Sequence, residues 1–232
     1  MTIELVVFDV AGTTVHDADA VHACLQAALA AAGVRVSREA VNGVMGLPKP
    51  TAIRRLLRED AHGLEAADRL VESLHDDFVR RMIEHYRNDP SVREAGSARR
   101  VFSELHALGV KVALDTGFDR RILDTVLSRL GWDDGSLDAT VASDEVPRGR
   151  PHPDLVFQAM KLTGVGDPRR VAKVGDTPTD LLEGRAAGCA LVVGVTEGSH
   201  TEAELLQWPH THLIPNVAAF PALLDTVVRR AS

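Results

Sequence analysis

The sequence predicts an α/β protein: a Rossmann-like parallel sheet core, opened after its first strand by an inserted α-helical domain. Three observations predict it. Short apolar runs alternate with amphipathic stretches at the spacing of strand–helix–strand units. One long stretch, from about His16 to about Asn88, carries helical patterns and no strand. The positions just beyond the apolar runs hold carboxylates, glycines and hydroxyls.

Ile3 to Phe8 reads as the first strand. The insert follows, with helices expected over Asp19–Ala32, Arg38–Val44, Thr51–Arg58 and Ala66–Tyr86. Turn chemistry at Asn88-Asp89-Pro90 marks its end. The expected boundaries are therefore 1–15 and 89–232 for the core and 16–88 for the insert. Strands are expected again at Val110–Leu114, Ala139–Ala142, Val171–Val174, Ala190–Val195 and His212–Ile214. Amphipathic helices are expected at Ser97–Leu108, Asp119–Leu130, Pro153–Thr163 and Thr179–Ala187, and a short helix ends the chain. Crossovers in such a sheet are right-handed by default.

Composition narrows the function. The chain has 232 residues, enough for one core and a smaller insert. A net charge of -7 argues against general binding to nucleic acid or to an anionic membrane. No run approaches the roughly 18 apolar residues of a membrane span, and the start lacks the basic and apolar regions of a secretory signal. The expectation is a cytoplasmic protein, with Cys24 and Cys189 as reduced thiols. Only four lysines occur, Lys49, Lys111, Lys161 and Lys173, so a chemically special lysine has few candidates.

In an open parallel sheet, ligands bind beyond the carboxyl ends of the strands. Asp9 stands at the end of the first strand, where Gly12-Thr13 makes a tight turn. Asp176 stands after Val174-Gly175, and Asp180 follows one helical turn later. Carboxylates converging from two strands suit Mg2+, which takes oxygen ligands and keeps waters and substrate oxygens. Thr116 and the backbone of Gly117 can donate to a phosphate, and Arg150 can neutralise its charge. These residues point to phosphoryl transfer from a small phosphorus-containing substrate.

In this order the motifs resemble the haloacid dehalogenase superfamily: Asp9-x-x-Gly12-Thr13, Thr116, Arg150-Pro151, then Gly175-Asp176-Thr177-x-x-Asp180. The resemblance implies that Asp9 forms an aspartyl-phosphate. It implies Mg2+ held by Asp9, the Ala11 carbonyl and Asp176, with Asp180 orienting the surroundings, and a homodimer. The insert is similar to that superfamily's helical cap, with hinges expected near Val15–Asp17 and Asn88–Pro90.

Two departures are informative. Most phosphatases of the superfamily carry an acid two residues after the nucleophile, and here that position is Ala11. A general acid contributes typically 10²–10⁴-fold. Most members also use Lys where this chain has Arg150. Both departures, with Met45-Gly46-Leu47-Pro48-Lys49, resemble the phosphonoacetaldehyde hydrolase (phosphonatase) branch. That resemblance implies a Schiff base on Lys49, which turns carbon into a leaving group without an acid at position 11. Burial and Arg150 would lower the pKa of Lys49.

Gly12, Thr13, Met45 and Gly117 are the expected substrate-binding positions. Two further positions differ from the branch: Ala52 stands where it has His, and Phe118 where it has Tyr. His16, His22 and His75 are candidate replacements for the missing imidazole. The primary expectation is hydrolysis of phosphonoacetaldehyde to acetaldehyde and phosphate. The alternative is a phosphatase for a small phosphorylated metabolite.

Overall fold

The computed structural model describes residues 2–60 and 68–230. Six strands form one parallel sheet in the order β3-β2-β1-β4-β5-β6. They are β1 (Leu5–Phe8), β2 (Lys111–Asp115), β3 (Ala139–Val141), β4 (Val171–Gly175), β5 (Leu191–Val195) and β6 (His212–Ile214). The strand order reverses between β1 and β4, which pair with Val7 opposite Lys173 and Phe8 opposite Val174. That reversal opens a crevice at the carboxyl ends of these two strands. Asp9 and Asp176 sit there.

The strands read as nearly unbroken apolar runs because both faces of the sheet are covered. Leu5 and Val7 point to one face and pack with Leu155 and Val156 of α7 (Asp154–Thr163). Val6 and Phe8 point to the other. There Phe8 packs against Phe102 of α5 (Ala98–Ala107) and Phe220 of α10 (Phe220–Arg230), with ring centroids 5.8 and 5.6 Å away. The other covering helices are α6 (Arg120–Leu130) and α8 (Pro178–Ala187), and a short α9 spans Glu202–Leu205.

Between β1 and Asp89 the described residues hold four helices and no strand: α1 (Ala20–Ala31), α2 (Arg38–Asn42), α3 (Lys49–Asp60) and α4 (Asp68–Asn88). The helix expected from Ala66 begins, within the described residues, at Asp68; Ala66 and Ala67 lie outside them. Helix α1 packs on α4, α4 on α3, and α4 also on α6 of the core. The apolar cluster is continuous across this junction, from Phe8 and Leu114 to Leu25, Phe78 and Met82.

The two chain crossings into and out of the insert run side by side. His16 donates to Arg93 O at 3.0 Å and Ala95 to Thr14 O at 2.8 Å. The return crossing thus meets the outgoing one beyond Pro90. Cys24 and Cys189 are unpaired and half-buried, and burial pushes their thiols up to about 11 and about 12. Among the described residues no helix is long and apolar enough to cross a membrane.

Most starts differ from the expectation by a residue or two, and one such difference bears on the site. Helix α3 begins at Lys49, not Thr51. Pro50 falls in the first turn, where a missing N–H costs no intrahelical bond. Lys49 is therefore fixed on a helix end rather than carried on a loop.

Candidate active site

Asp9 follows directly on β1 and is 5% exposed. The chain then turns back on Val10, whose carbonyl accepts from Thr14 at 3.0 Å and Val15 at 2.8 Å. Gly12 holds φ of +87°, and a Cβ there would strike the Asp176 carboxylate. The turn needs glycine for both reasons. Thr13 Oγ1 donates to Asp176 Oδ1 at 2.9 Å, and the Ser199 N–H donates to Asp176 Oδ2 at 2.6 Å. The loops after β1 and β5 thus hold the carboxylate at the end of β4.

Asp180 is placed by the start of α8. Thr177 is the N-cap, Pro178 opens the helix, and the Thr177 N–H donates to Asp180 Oδ2 at 3.2 Å. This is a reciprocal cap with an acid at the third helical position. Thr177 Oγ1 donates to the same oxygen at 2.5 Å.

Arg150 joins these carboxylates beneath the site. Its side chain is fully buried. Nη1 lies 2.6 Å from Asp9 Oδ1 and 2.9 Å from Asp180 Oδ1, and Nε donates to Glu183 Oε2 at 2.9 Å. Nη2 pairs with Asp115. The sequence pointed to Arg150 as a cation facing phosphate; the guanidinium is instead committed to four carboxylates, and it borders the cleft while holding Asp9.

Three members of this network escaped the sequence reading. Lys173 pairs with Asp115 and lies 3.0 Å from Asp180 and 3.4 Å from Glu183. The available signal was a lysine inside the apolar run Val171–Val174 of a central strand, a charge that burial forces into a pair. Asp115 and Glu183 are its counterparts and are wholly buried.

The carboxylates outnumber the cations. Asp9, Asp115, Asp176, Asp180 and Glu183 face Arg150 and Lys173. Burial, above all, raises Asp9 to about 8 and Asp176 to about 6, and it raises Glu183 too. Asp180 goes the other way, because Arg150 and Lys173 outweigh its desolvation and hold its carboxyl below the usual range. One carboxylate oxygen from each of Asp9, Asp176 and Asp180 lies within 4.8 Å of the others. Surplus buried negative charge on oxygen donors is what a divalent cation relieves, by taking the place of protons. The residues fit such an ion.

The insert closes this site from above. A cleft with about 290 Å³ of empty space is lined by Asp9, Ala11, Thr116, Gly117 and Arg150 from the core and by Met45 and Lys49 from the insert. Val21, Gly46, Phe118 and Thr177 complete it. Lys49 is 3% exposed. Its Nζ lies 5.8 Å from the Phe78 ring centre and 5.3 Å from that of Phe118. Burial lowers its pKa to about 8, against the pull of Asp9. Apolar walls and a neighbouring guanidinium favour the neutral amine.

Gly12 and Thr13 do not line this cleft. Gly12 backs onto Asp176 and the Thr13 hydroxyl is committed to it, so both shape the carboxylate cluster. Nor do His16, His22 and His75 line it. Ala52 is buried in the apolar cluster.

The chain matches the model of haloacid dehalogenase-like hydrolases over residues 3–188. It is 30% identical over 228 residues to a protein of Bacteroides fragilis called phosphonoacetaldehyde hydrolase, covering 92% of this chain and 82% of that one. A phosphonoacetaldehyde hydrolase-like protein from Oleispira antarctica superposes with a TM-score of 0.85 at 22% identity, over 99% of this chain and 94% of the other. A predicted phosphoglycolate phosphatase from Haemophilus somnus superposes with a TM-score of 0.79 at 20% identity, over 95% and 97%. These two likenesses speak for the fold. The family model spans most of the chain, with the acidic crevice at the strand reversal inside its match, and the chain is therefore a member of the haloacid dehalogenase-like hydrolase family.

Proposed function

We propose that this hydrolase cleaves the C–P bond of phosphonoacetaldehyde, giving acetaldehyde and phosphate. One observation carries the reading. A buried lysine with its pKa lowered to about 8 shares a closed cleft with Asp9, while the position that would hold an acid for an oxygen leaving group is Ala11. The name carried by the Bacteroides fragilis relative supports it.

The neutral Lys49 amine adds to the aldehyde carbon and expels water, leaving an iminium. Asp9 then attacks phosphorus. The C–P bond breaks, and its electrons pass into the iminium to give an enamine. Carbon is protonated, and water returns acetaldehyde and free Lys49. A second water hydrolyses the aspartyl-phosphate. Thr116 and the Gly117 N–H face the phosphoryl oxygens, and Arg150 fixes the direction of Asp9. Asp9 and Asp176 would hold Mg2+, with the Ala11 carbonyl, and the ion would neutralise developing charge on phosphoryl oxygen. Residues 16–88 act as a cap over the core formed by 1–15 and 89–232, excluding water while the phosphoenzyme exists.

Borohydride reduction in the presence of phosphonoacetaldehyde and Mg2+ tests this. The expected product is a two-carbon adduct on Lys49 with loss of turnover, and Lys49→Ala should not form it. C–P cleavage surviving in Lys49→Ala would falsify the Schiff-base step.

A second reading, a phosphatase for a small ester, draws on Ala52 and Phe118. They leave no imidazole from α3 and no phenol from the β2–α6 loop beside Lys49. It predicts ester turnover indifferent to Lys49→Ala. A panel of alkyl phosphates beside phosphonoacetaldehyde separates the two.

A further inference from the structure

The insert meets the core most closely at glycines. A Cβ on Gly46 would collide with the hydroxyls of Thr177 and Thr179. A Cβ on Gly117 would lie 2.7 Å from Gly46 O and 2.8 Å from Leu47 O, and one on Gly149 would strike Pro48. The segment that delivers Lys49 is thus seated on three core loops with no room for a side chain between. Val44, Met45 and Leu47 tie the segment into the apolar cluster, and at the glycine contacts themselves backbone meets hydroxyls, other backbone and the Pro48 ring.

A hydrogen bond crosses the seam: Thr179 Oγ1 donates to Met45 O at 3.2 Å. Thr179 Oγ1 also lies 2.9 Å from Thr177 Oγ1, and Thr177 Oγ1 donates to Asp180 Oδ2 at 2.5 Å. Each hydroxyl carries one proton. The bond from Thr177 to a carboxylate is charge-assisted and short, so Thr177 keeps its proton on Asp180. The Thr179 proton then has two competing acceptors, Met45 O and Thr177 Oγ1.

We propose that Thr179 is a positioning residue that latches the insert closed by moving one proton between two acceptors. Closed, its hydroxyl serves Met45 O, which is buried at the seam. Open, it turns to Thr177 Oγ1, and Met45 O is served by water. Neither state leaves the hydroxyl unpaired, so opening stays easy, while the closed state is favoured by satisfying a buried carbonyl. The inference rests on the reading that closure brings Lys49 to the phosphoryl site. The latch is anchored to that site: Thr177 binds Asp180, Asp180 pairs with Arg150 at 2.9 Å, and Arg150 pairs with Asp9 at 2.6 Å.

The test uses the full chain without substrate. Amide hydrogen exchange over residues 44–49 and reductive methylation of Lys49, both read by mass spectrometry, report opening of the seam. Thr179→Val removes the hydroxyl at nearly constant volume, and both rates should rise about five- to tenfold. Thr179→Ser keeps the hydroxyl and should behave as the wild type. Thr179→Ala repeats the loss without a branched side chain, should the Val variant lose its thermal transition. Rates in Val or Ala within twofold of wild type, or a Ser variant as open as Val, overturn the latch. A protein that forms no borohydride adduct yet shows the Val–Ser contrast keeps the latch and loses the Schiff base.

Discussion

Arg150 Nη1 lies 2.6 Å from Asp9 Oδ1, and no part of the Arg150 side chain reaches solvent. The pair is therefore unscreened, and the other guanidinium nitrogens are anchored on Asp115 and Glu183. A planar fork with fixed donors can hold one carboxylate while tied to three others; an ammonium cannot. Arg150→Lys should lower kcat by about 10²-fold or more, the scale of a misplaced reacting group. Phosphate release measures it. Arg150→Met should lower stability by about 3–5 kcal/mol, because buried carboxylates lose their partner. Thermal or urea unfolding reads that loss. A Lys variant with full turnover would show that the fork does not aim Asp9.

In the proposed Schiff-base step the Lys49 amine must be neutral to attack carbon. Its pKa is lowered to about 8. With Mg2+ saturating, kcat/KM should rise with pH and level off above about 8. Phosphate esters, turned over without an imine, should lack that limb. Matching acid limbs for both substrate types would remove Lys49 from the reaction.

The same shift predicts a stability change. The folded-state pKa of Lys49, about 8, lies below its unfolded value of 10.5. The unfolded chain binds the proton more tightly, so burying the charge costs stability at every pH below about 8. The cost declines between about 8 and 10.5 and vanishes above. By linkage it is of the order of 3 kcal/mol at neutral pH. Lys49→Met, similar in length and apolar, should melt at a higher temperature at pH 7, and the difference should close by pH 10.5. A Met variant no more stable than wild type at pH 7 would contradict the desolvation cost.

Burial holds Asp176 near 6 and Asp9 near 8. A divalent cation requires both ionised, so its binding should release protons at pH 7, weaken as pH falls below about 8, and weaken more steeply below about 6. Calorimetry of Mg2+ or Mn2+ in two buffers of different ionisation enthalpy counts those protons. Asp176→Asn should abolish saturable binding. Binding with no proton release would mean that the cluster is already ionised.

The strand-end residues were legible because a parallel strand buried on both faces is an apolar run, and the first polar residue after it must face the crevice. Asp9 and Asp176 follow from that rule; at the end of β2 it picks Asp115, which turns to Arg150 and Lys173, while Thr116 behind it lines the cleft. Arg150 was legible as a site residue but not in its partners, since Asp115 and Glu183 lie 35 and 33 positions away in sequence. Lys173 was visible as a charge in an apolar run, yet its pairing depends on which strands are neighbours. Lys49 was legible through the resemblance of Met45-Gly46-Leu47-Pro48-Lys49 to the phosphonatase branch, together with the missing acid at Ala11. Its helix position was missed because Pro50 reads as a breaker. The seating of Gly46, Gly117 and Gly149 involves three segments far apart in sequence, and no local pattern encodes it.

Ala11 offers the sharpest reversal. It lines the cleft and is only half-buried, so a longer side chain has space to turn toward a leaving group. Burial raises Asp9 to about 8, with Asp180 and Asp176 adding to it, and a carboxyl at position 11 would meet the same negative neighbours. Those neighbours push it toward the protonated form that a general acid needs. Such an acid helps only where the leaving oxygen is basic. Ala11→Asp should thus raise hydrolysis of an alkyl phosphate such as glycerol phosphate by about 10²-fold. Hydrolysis of p-nitrophenyl phosphate should change little, since its leaving group needs no proton. The proposed C–P cleavage should not improve, because in that proposal its electrons leave through a Lys49 imine. An equal gain on both esters, or none, would show that position 11 does not face the leaving group, and the argument from the missing acid to Lys49 would fall with it.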